Sequence, residues 1–457
     1  MTECSEQQRV ACAIGGAYTV LAIERALPIL HSGPGCLQNS GGVLGRFNGG
    51  QSGVSYPDSI IPSTNFCDKD VVFGAEDRLR RLVKKCLEYY RADMFFLVAG
   101  CGSEIVGDDI EEVAAEFAGG PVPVLYARLP GFKGNNLWGH AQVLNVLIDQ
   151  YLKHLPRAEV KPGRVNVLGV VPYFDSFWMA TLEELEKMLR ALGLDPNVIY
   201  GRGKGVEALK KIPEAAFNLV LSPWTDLDTA EKLQDVFGTP YFHYPCLPIG
   251  PTETAKFVRA LAAYAALDQK KAEDYIREGE DRYYFYVKNA VKVYSGGAQT
   301  PKRFFINSSA AQALSLTRFL VNDWGMTPLK IFITDDVPEV HKERITGELR
   351  AVESADALNF DIRFTRDGGL CDVEIGKEAF TFRKACLFGT CWDQLTANNR
   401  QLPFVPVSAP YGDAMIGDTT YLGYNGALVF IRDLYRDMTQ KVLGSGIVAR
   451  LEDAAGH

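Results

Sequence analysis

Three cysteines sit in settings that suit soft-metal chemistry. Cys12 lies in ACAIGGA, Cys36 closes HSGPGC, and Cys101 ends FFLVAGC and is followed by GSEIVGDD. Thiolates are the soft ligands of iron–sulfur clusters, and flanking glycines offer backbone N–H groups that can hydrogen-bond cluster sulfur. The spacings are 36 − 12 = 24 and 101 − 36 = 65 residues, which match no zinc-finger or ferredoxin pattern. All three are expected at the ends of elements of one α/β unit, where they could converge. Three ligands are one short of a four-iron set, so a partner chain could complete it. Spacing alone leaves a second reading open, in which these are small buried hydrophobes, since free cysteine is among the most buried residue types.

Other common chemistries are missing. The six histidines form no HExxH pair, which argues against a zinc hydrolase of that kind. Gly201-Arg-Gly203-Lys-Gly205 has a third position filled by Val206, so it reads as a glycine-rich turn and not a dinucleotide loop. Neither a GxxxxGK[ST] phosphate loop nor a GxSxG elbow is present. His31 reads as a satisfied helix-end histidine or a hydrogen-bonding neighbour of the cysteines. Asp108 and Asp109 read as caps at a helix start. Ser103 is a minor candidate for an alkoxide ligand, Tyr283, Tyr284 and Tyr286 read as helix packing, Cys246 as structural, and Cys371 as lying in a polar loop.

The elements that must position these residues alternate. Apolar runs at Phe95–Cys101, Val165–Pro172, Phe217–Trp224, Arg303–Ser309, Lys330–Asp336 and Ala385–Cys391 read as buried strands. Amphipathic stretches such as Ala75–Tyr90 and Thr181–Leu192 lie between them. The fold class expected is α/β, with three doubly wound Rossmann-like domains built on parallel sheets. Polar breaks at Lys153–Gly163 and Ser295–Arg303 place the domains at 1–155, 156–300 and 301–457. The second and third begin alike, a weak sign of a repeat. Ligands of such sheets collect at the carboxyl ends of the strands.

Composition bounds the partners. The 457 residues carry 48 Lys+Arg against 56 Asp+Glu, a net charge of −8, which argues against nucleic acid as the main partner. No apolar run approaches the ~18 residues of a membrane span. The start MTECSEQQRV lacks the pattern of a signal peptide, so a cytoplasmic location is expected, with the ten cysteines as thiols or metal ligands.

The ordered set Cys12, His31-Ser-Gly-Pro-Gly-Cys36, Asp70-Val-Val-Phe-Gly74 and Cys101-Gly-Ser-Glu-Ile-Val-Gly-Asp-Asp109 resembles the N-terminal unit of the nitrogenase component 1 family. Pro245–Thr252 resembles the family's proline–glycine loop, and Tyr421–Gly426 its C-terminal signature, so the resemblance covers essentially the whole chain. It implies that Cys12, Cys36 and Cys101 hold part of a P-cluster-type [8Fe-7S] cluster shared with an α-type subunit. The positions matching the α-type cofactor ligands are Ser222 and Leu422, neither of them a ligand type, which implies a β-type relay subunit. The partners implied are the α-type catalytic chain in an α2β2 heterotetramer and an ATP-dependent iron–sulfur reductase, with no nucleic acid or membrane. Only eleven residues precede Cys12, and the Gly/Ser-rich segment Leu37–Thr64 is long for a molybdenum-nitrogenase β subunit. Retention of all three cysteines disfavours the pigment-biosynthesis relatives. The chain looks most similar to the nitrogenase-like methylthio-alkane reductases, which implies reductive C–S cleavage of small thioethers. A dinitrogen-reducing β subunit and a non-catalytic cofactor-assembly scaffold are the alternatives.

Overall fold

The structure is a computed structural model and describes residues 6–36, 38, 61–156, 158–296, 301–353, 359–379, 385–412 and 417–455, with only the backbone for 292–296, 379 and 440–455. Most of Leu37–Thr64 lies outside the described residues. Three all-parallel sheets run through the chain, each strand separated from the next by helical or turn segments, so the fold class is α/β as the apolar runs indicate. The first sheet has the order β1-β2-β3, with β1 Ala26–His31, β2 Met94–Ala99 and β3 Val124–Arg128. The second runs β5-β4-β6-β7, with β4 Lys161–Leu168, β5 Asp195–Asn197, β6 Ala215–Leu221 and β7 Tyr241–Tyr244. The third runs β10-β9-β8-β11-β12, with β8 Arg303–Ser308, β9 Thr327–Ile333, β10 Asp361–Phe364, β11 Ala385–Gly389 and β12 Phe404–Pro406. That last order, 3-2-1-4-5 in chain sequence, is the Rossmann arrangement.

The chain packs as two compact units. Residues 10–244, with Gly417, form one and contain the first two sheets; residues 6–9 and those from Pro245 onward form the other around the third sheet. In the first unit β2 is buried along its full length. Ile29, Leu79, Val83, Phe95, Leu97 and Ile110 make the core beneath it, where Leu79 and Val83 are the inward face of the helix Glu76–Tyr89. That i, i+4 pair is why the stretch from Ala75 reads as helical. In the second unit Arg9 is buried against Asp393, at 2.8 Å, and against Thr390.

The second unit also brings two signature segments together. Gly423 N–H donates to the Pro248 carbonyl at 2.8 Å, so the proline–glycine loop and the C-terminal signature share a backbone bridge. A Cβ at Gly426 would lie 2.1 Å from the Tyr421 carbonyl carbon, so this turn admits only glycine. Cys246 is fully buried beside Glu253 and Arg318, in keeping with a structural role.

Several local readings need correction. Cys371 is not in a polar loop: it is buried on the helix Gly368–Ala379, and burial pushes its thiol up to about 12. Of the three tyrosines read as packing, only Tyr283 is buried, with its hydroxyl accepting from Trp324 Nε1 at 3.1 Å; Tyr284 and Tyr286 are exposed. Gly203 and Gly201 take positive φ in a plain turn ahead of the short helix Val206–Lys210.

Candidate metal centre

The centre is built on the carboxyl edge of the first sheet. The last residues of its three strands are in register, His31 opposite Ala99 and Ala99 opposite Arg128. Just past the strands come Cys36 after β1, Cys101 at the start of a short helix after β2, and Gly131 after β3. Cys12 enters from the N-terminal side, where its backbone bridges Asn135, four residues past Gly131. Parallel strands deliver their following loops to one edge, which is why residues far apart in sequence meet here.

The three cysteines are neighbours. Gly131 N–H donates to Cys101 Sγ at 3.0 Å, and Ser32 Oγ–H donates to Cys36 Sγ at 3.0 Å. A Cβ built on Gly131 would lie 2.6 Å from Cys12 Sγ and 3.5 Å from Cys101 Sγ. Partial burial of its sulfur raises the Cys12 thiol above its ordinary value; the nearby Cys101 and Cys36 raise it further, while the backbone N–H groups of Ile14 and Ala13 oppose the rise. Cys12 is exposed, and Cys36 and Cys101 are half-buried.

Among the described residues, no three His, Cys, Asp or Glu side chains close on one point as a single metal ion requires. A zinc ion needs its donors within about 2.0–2.3 Å of one centre. Cys12 and Cys101 instead flank a space that Gly131 leaves open, and Cys101 and Cys36 already accept hydrogen bonds at sulfur. The donor set fits a group wider than one ion, with thiolate ligands and N–H support for sulfur.

The polar residues around the cysteines have roles the chain alone did not reveal. His31 ends a strand, not a helix, and is fully buried. Its Nε2 meets Asp108 Oδ2 at 2.9 Å, and its Nδ1 lies 3.2 Å from Thr64 Oγ1. Burial pushes the imidazole below its ordinary value, and Asp108 pulls the other way. Asp109 is the cap expected, accepting from Glu111 and Glu112 N–H at 3.1 and 3.2 Å. Asp108 is not a cap: it is buried, and its other oxygen accepts from Ala75 N–H at 3.0 Å. Ser103 donates to the carbonyls of His31 and Gly100, both at 3.0 Å, so its hydroxyl is engaged by backbone. Ser32 and Gly131 were missed in the sequence; the Pro130-Gly131 pair directly after a strand was the available signal.

Large apolar side chains are exposed on the segments that carry Cys101 and Gly131 and on a helix packed against the Cys101 helix. Val72 is 73% exposed, Phe73 79%, Ile105 76% and Phe132 62%. Phe132 is next to Gly131, Ile105 is on the helix Cys101–Val106, and Val72 and Phe73 end the helix Asp68–Phe73. Large apolar side chains left exposed on packed neighbouring segments suit a surface that another molecule covers.

The family model for nitrogenase component 1 type oxidoreductases matches residues 11–439. The chain belongs to this family. Curated relatives include a light-independent protochlorophyllide reductase subunit of Bradyrhizobium sp., 24% identical over 398 residues, covering 84% of this chain and 72% of the relative. Its counterpart in Acidiphilium rubrum is 25% identical over 381 residues, covering 82% and 70%. Among solved structures, nitrogenase Cp1 at pH 6.5 superposes with a TM-score of 0.78 at 19% identity, covering 97% of this chain and 95% of that one. The family likeness read from the cysteine and glycine motifs therefore holds: the chain is a nitrogenase-like oxidoreductase subunit of the β type, with that family's fold. Among the described residues no helix is long and apolar enough to cross a membrane.

Proposed function

We propose that this chain is the electron-relay subunit of a nitrogenase-like reductase. Cys12, Cys36 and Cys101 hold its half of a P-cluster-type [8Fe-7S] cluster, shared with an α-type catalytic chain in an α2β2 assembly. The observation that carries this reading is the convergence of three thiols, one exposed and two half-buried, on the carboxyl edge of one sheet. Family members bind iron–sulfur clusters and act with an α-type partner and a reductase component. The bound cluster would supply one-electron steps at low potential. This chain's part is to place the thiolates and to donate N–H and O–H groups to their sulfur from Gly131 and Ser32. It also presents the exposed apolar side chains on which partners close. Electrons come from a separate ATP-hydrolysing iron–sulfur reductase, since the chain has no phosphate loop of its own. The reductase approaches the surface nearest the cysteines. We further propose a cytoplasmic location and domain limits near residues 155 and 300, one domain per sheet.

For the substrate, we favour small methylthio-alkanes cleaved at the C–S bond in the partner's cofactor site. Two alternatives remain in the same family, a dinitrogen-reducing β subunit and a cofactor-assembly scaffold. The curated relatives favour a further reading, reduction of protochlorophyllide, against which stand the three cysteines supplied by this one chain. One experiment separates these. The chain is co-purified anaerobically with its α-type partner, its iron is counted and its EPR recorded. It is then turned over with reductase and ATP on a methylthio-alkane, protochlorophyllide and dinitrogen in parallel. Thiol release supports the C–S reading; product from protochlorophyllide or ammonia alone overturns it. No turnover on any of the three, with cofactor handed on to an apo-enzyme, identifies a scaffold. Full turnover without reductase and ATP overturns the relay role.

A further inference from the structure

Asp108 sits where the exposed Val71–Phe73 segment meets the thiol-bearing segments. Its Oδ1 accepts from Ala75 N–H at 3.0 Å, directly after Val71-Val72-Phe73-Gly74. Its Oδ2 takes His31 Nε2 at 2.9 Å, at the root of the loop that carries Cys36. Its own backbone N–H bonds the Ser103 carbonyl at 3.1 Å, in the first turn of the helix that begins at Cys101. His31 extends the joint: its carbonyl accepts from Gly100 N–H at 3.1 Å and from Ser103 Oγ. Ser32 follows it and donates to Cys36 Sγ at 3.0 Å. Gly74 has φ +84°, and a Cβ there would stand 3.1 Å from Asp108 Oδ1, so this crossing has no room to spare. The helix Asp68–Phe73 also packs on the helix Cys101–Val106.

We propose that Asp108 is a positioning residue that holds the exposed Val71–Phe73 segment in register with the Cys36 and Cys101 segments, so that the iron–sulfur reductase meets an ordered docking segment beside the cluster. Slack at this joint weakens reductase docking, and so raises the reductase concentration needed, without removing any ligand. The buried, doubly bonded carboxylate is suited to this, because each of its bonds ends on a different segment. His31 and Thr64 complete it by fixing the imidazole. The inference rests on the relay reading above.

The test uses the assembled complex with its reductase. Two variants loosen the joint from opposite sides: D108N, which forces one of the two bonds to reverse polarity, and G74A, which crowds Asp108 Oδ1 at a positive-φ position. Iron content, EPR line shape, melting temperature and the reductase concentration at half-maximal rate are read together. The expected result is iron and EPR as in wild type with half-saturation raised roughly fivefold or more, the lower end of coupling between sites. D108N combined with F73A should then cost less than the two effects multiplied, because both act on one segment. The proposal is overturned if half-saturation is unmoved in both variants. It is equally overturned if both lose iron and melting temperature with half-saturation unchanged, because Asp108 would then serve the fold alone. If wild type itself needs no reductase, the relay reading has failed, and this inference with it.

Discussion

Gly131 is the position where a single methyl group tests the centre directly. In G131A the new Cβ would lie 2.6 Å from Cys12 Sγ, against about 3.4 Å for ordinary contact, so the sulfur must yield by about 3.4 − 2.6 = 0.8 Å. Gly131 does not have a positive φ, so alanine meets the thiols without backbone strain of its own. Cys12 has little slack. Its carbonyl accepts from Gly15 N–H at 2.9 Å, and its backbone bridges Asn135. The sulfur is one torsion from that fixed backbone, so it yields chiefly by leaving its staggered well for another. Metal–ligand distances tolerate only about ±0.2 Å. The expected result is retention of iron against a chelator weakened roughly 10- to 100-fold, the scale seen when groups beside metal ligands are altered. The iron-free chain should lose little, about 0.5 kcal/mol, since a rotated thiol that reaches solvent strands no buried group. The assay is anaerobic co-purification with the α-type partner, a chelator challenge followed by iron counting, and calorimetry of the apo chain. A G131A complex that holds its iron as wild type does would show that Cys12 and Cys101 do not face a common group.

Alanine at Cys12, Cys36 or Cys101 should abolish cluster retention and turnover, whereas C371A should keep iron yet lose about 1–2 kcal/mol in thermal unfolding for its small core cavity; equal iron loss in all four would refute the constellation. The isolated chain should release iron to a chelator far faster than the assembled pair, because three exposed or half-buried thiols leave iron valences open; a stable, cluster-loaded monomer would contradict this. Burial raises the Asp323 carboxyl to about 6, and the Thr252 N–H and hydroxyl that it accepts oppose the rise. The folded chain therefore holds a proton there that the unfolded chain, with a pKa near 3.9, has lost. Stability should fall as pH rises from about 4 to 6, and D323N should flatten that slope in denaturant titrations at several pH values. G347A, on the exposed face of the helix Glu339–Arg350 with nothing within 4 Å of its Cβ, should gain about 0.5–1 kcal/mol.

How far the sequence carried this depended on how each element is buried. The strands β2, β4, β6, β8, β9 and β11 contain apolar runs, and β2 and β11 are buried throughout, so they stand out from the helices around them. The strand β3 alternates half-buried and buried positions, and β7 is half-buried along all four residues, so neither gives such a run. His31 reads as a helix end because HSGPGC hides the strand that stops at it. Cys371 and Ile375 are an inward i, i+4 pair, but Gly368, Gly369 and the acidic residues between them obscure the period. Asp108 and Asp109 are adjacent and chemically alike; only the turn of the chain sends one to the helix end and the other into the core.

The cysteines, by contrast, were legible because their glycine contexts are demanded by the site and not by the core. What spacing could not supply was the reason they meet. In a parallel sheet each strand must return by a crossover, so the loops after β1, β2 and β3 all emerge at one edge, however many residues separate them. That edge explains the donors as well as the ligands. Ser32 is the first residue past β1, and Gly131 lies three past β3, so the groups that hydrogen-bond the Cys36 and Cys101 sulfurs arrive by the same topology that brings the thiols. It also explains why the site is left open. A three-stranded sheet has only three such connections to give, and with Cys12 they supply three thiols at this edge, one short of a four-iron set. A lone chain that kept Ile105 and Phe132 in water on the segments that carry Cys101 and Gly131 would hold apolar area with nothing to stabilise it. The same side chains become favourable once a second subunit covers them, so the incomplete ligand set and the exposed apolar side chains have one explanation.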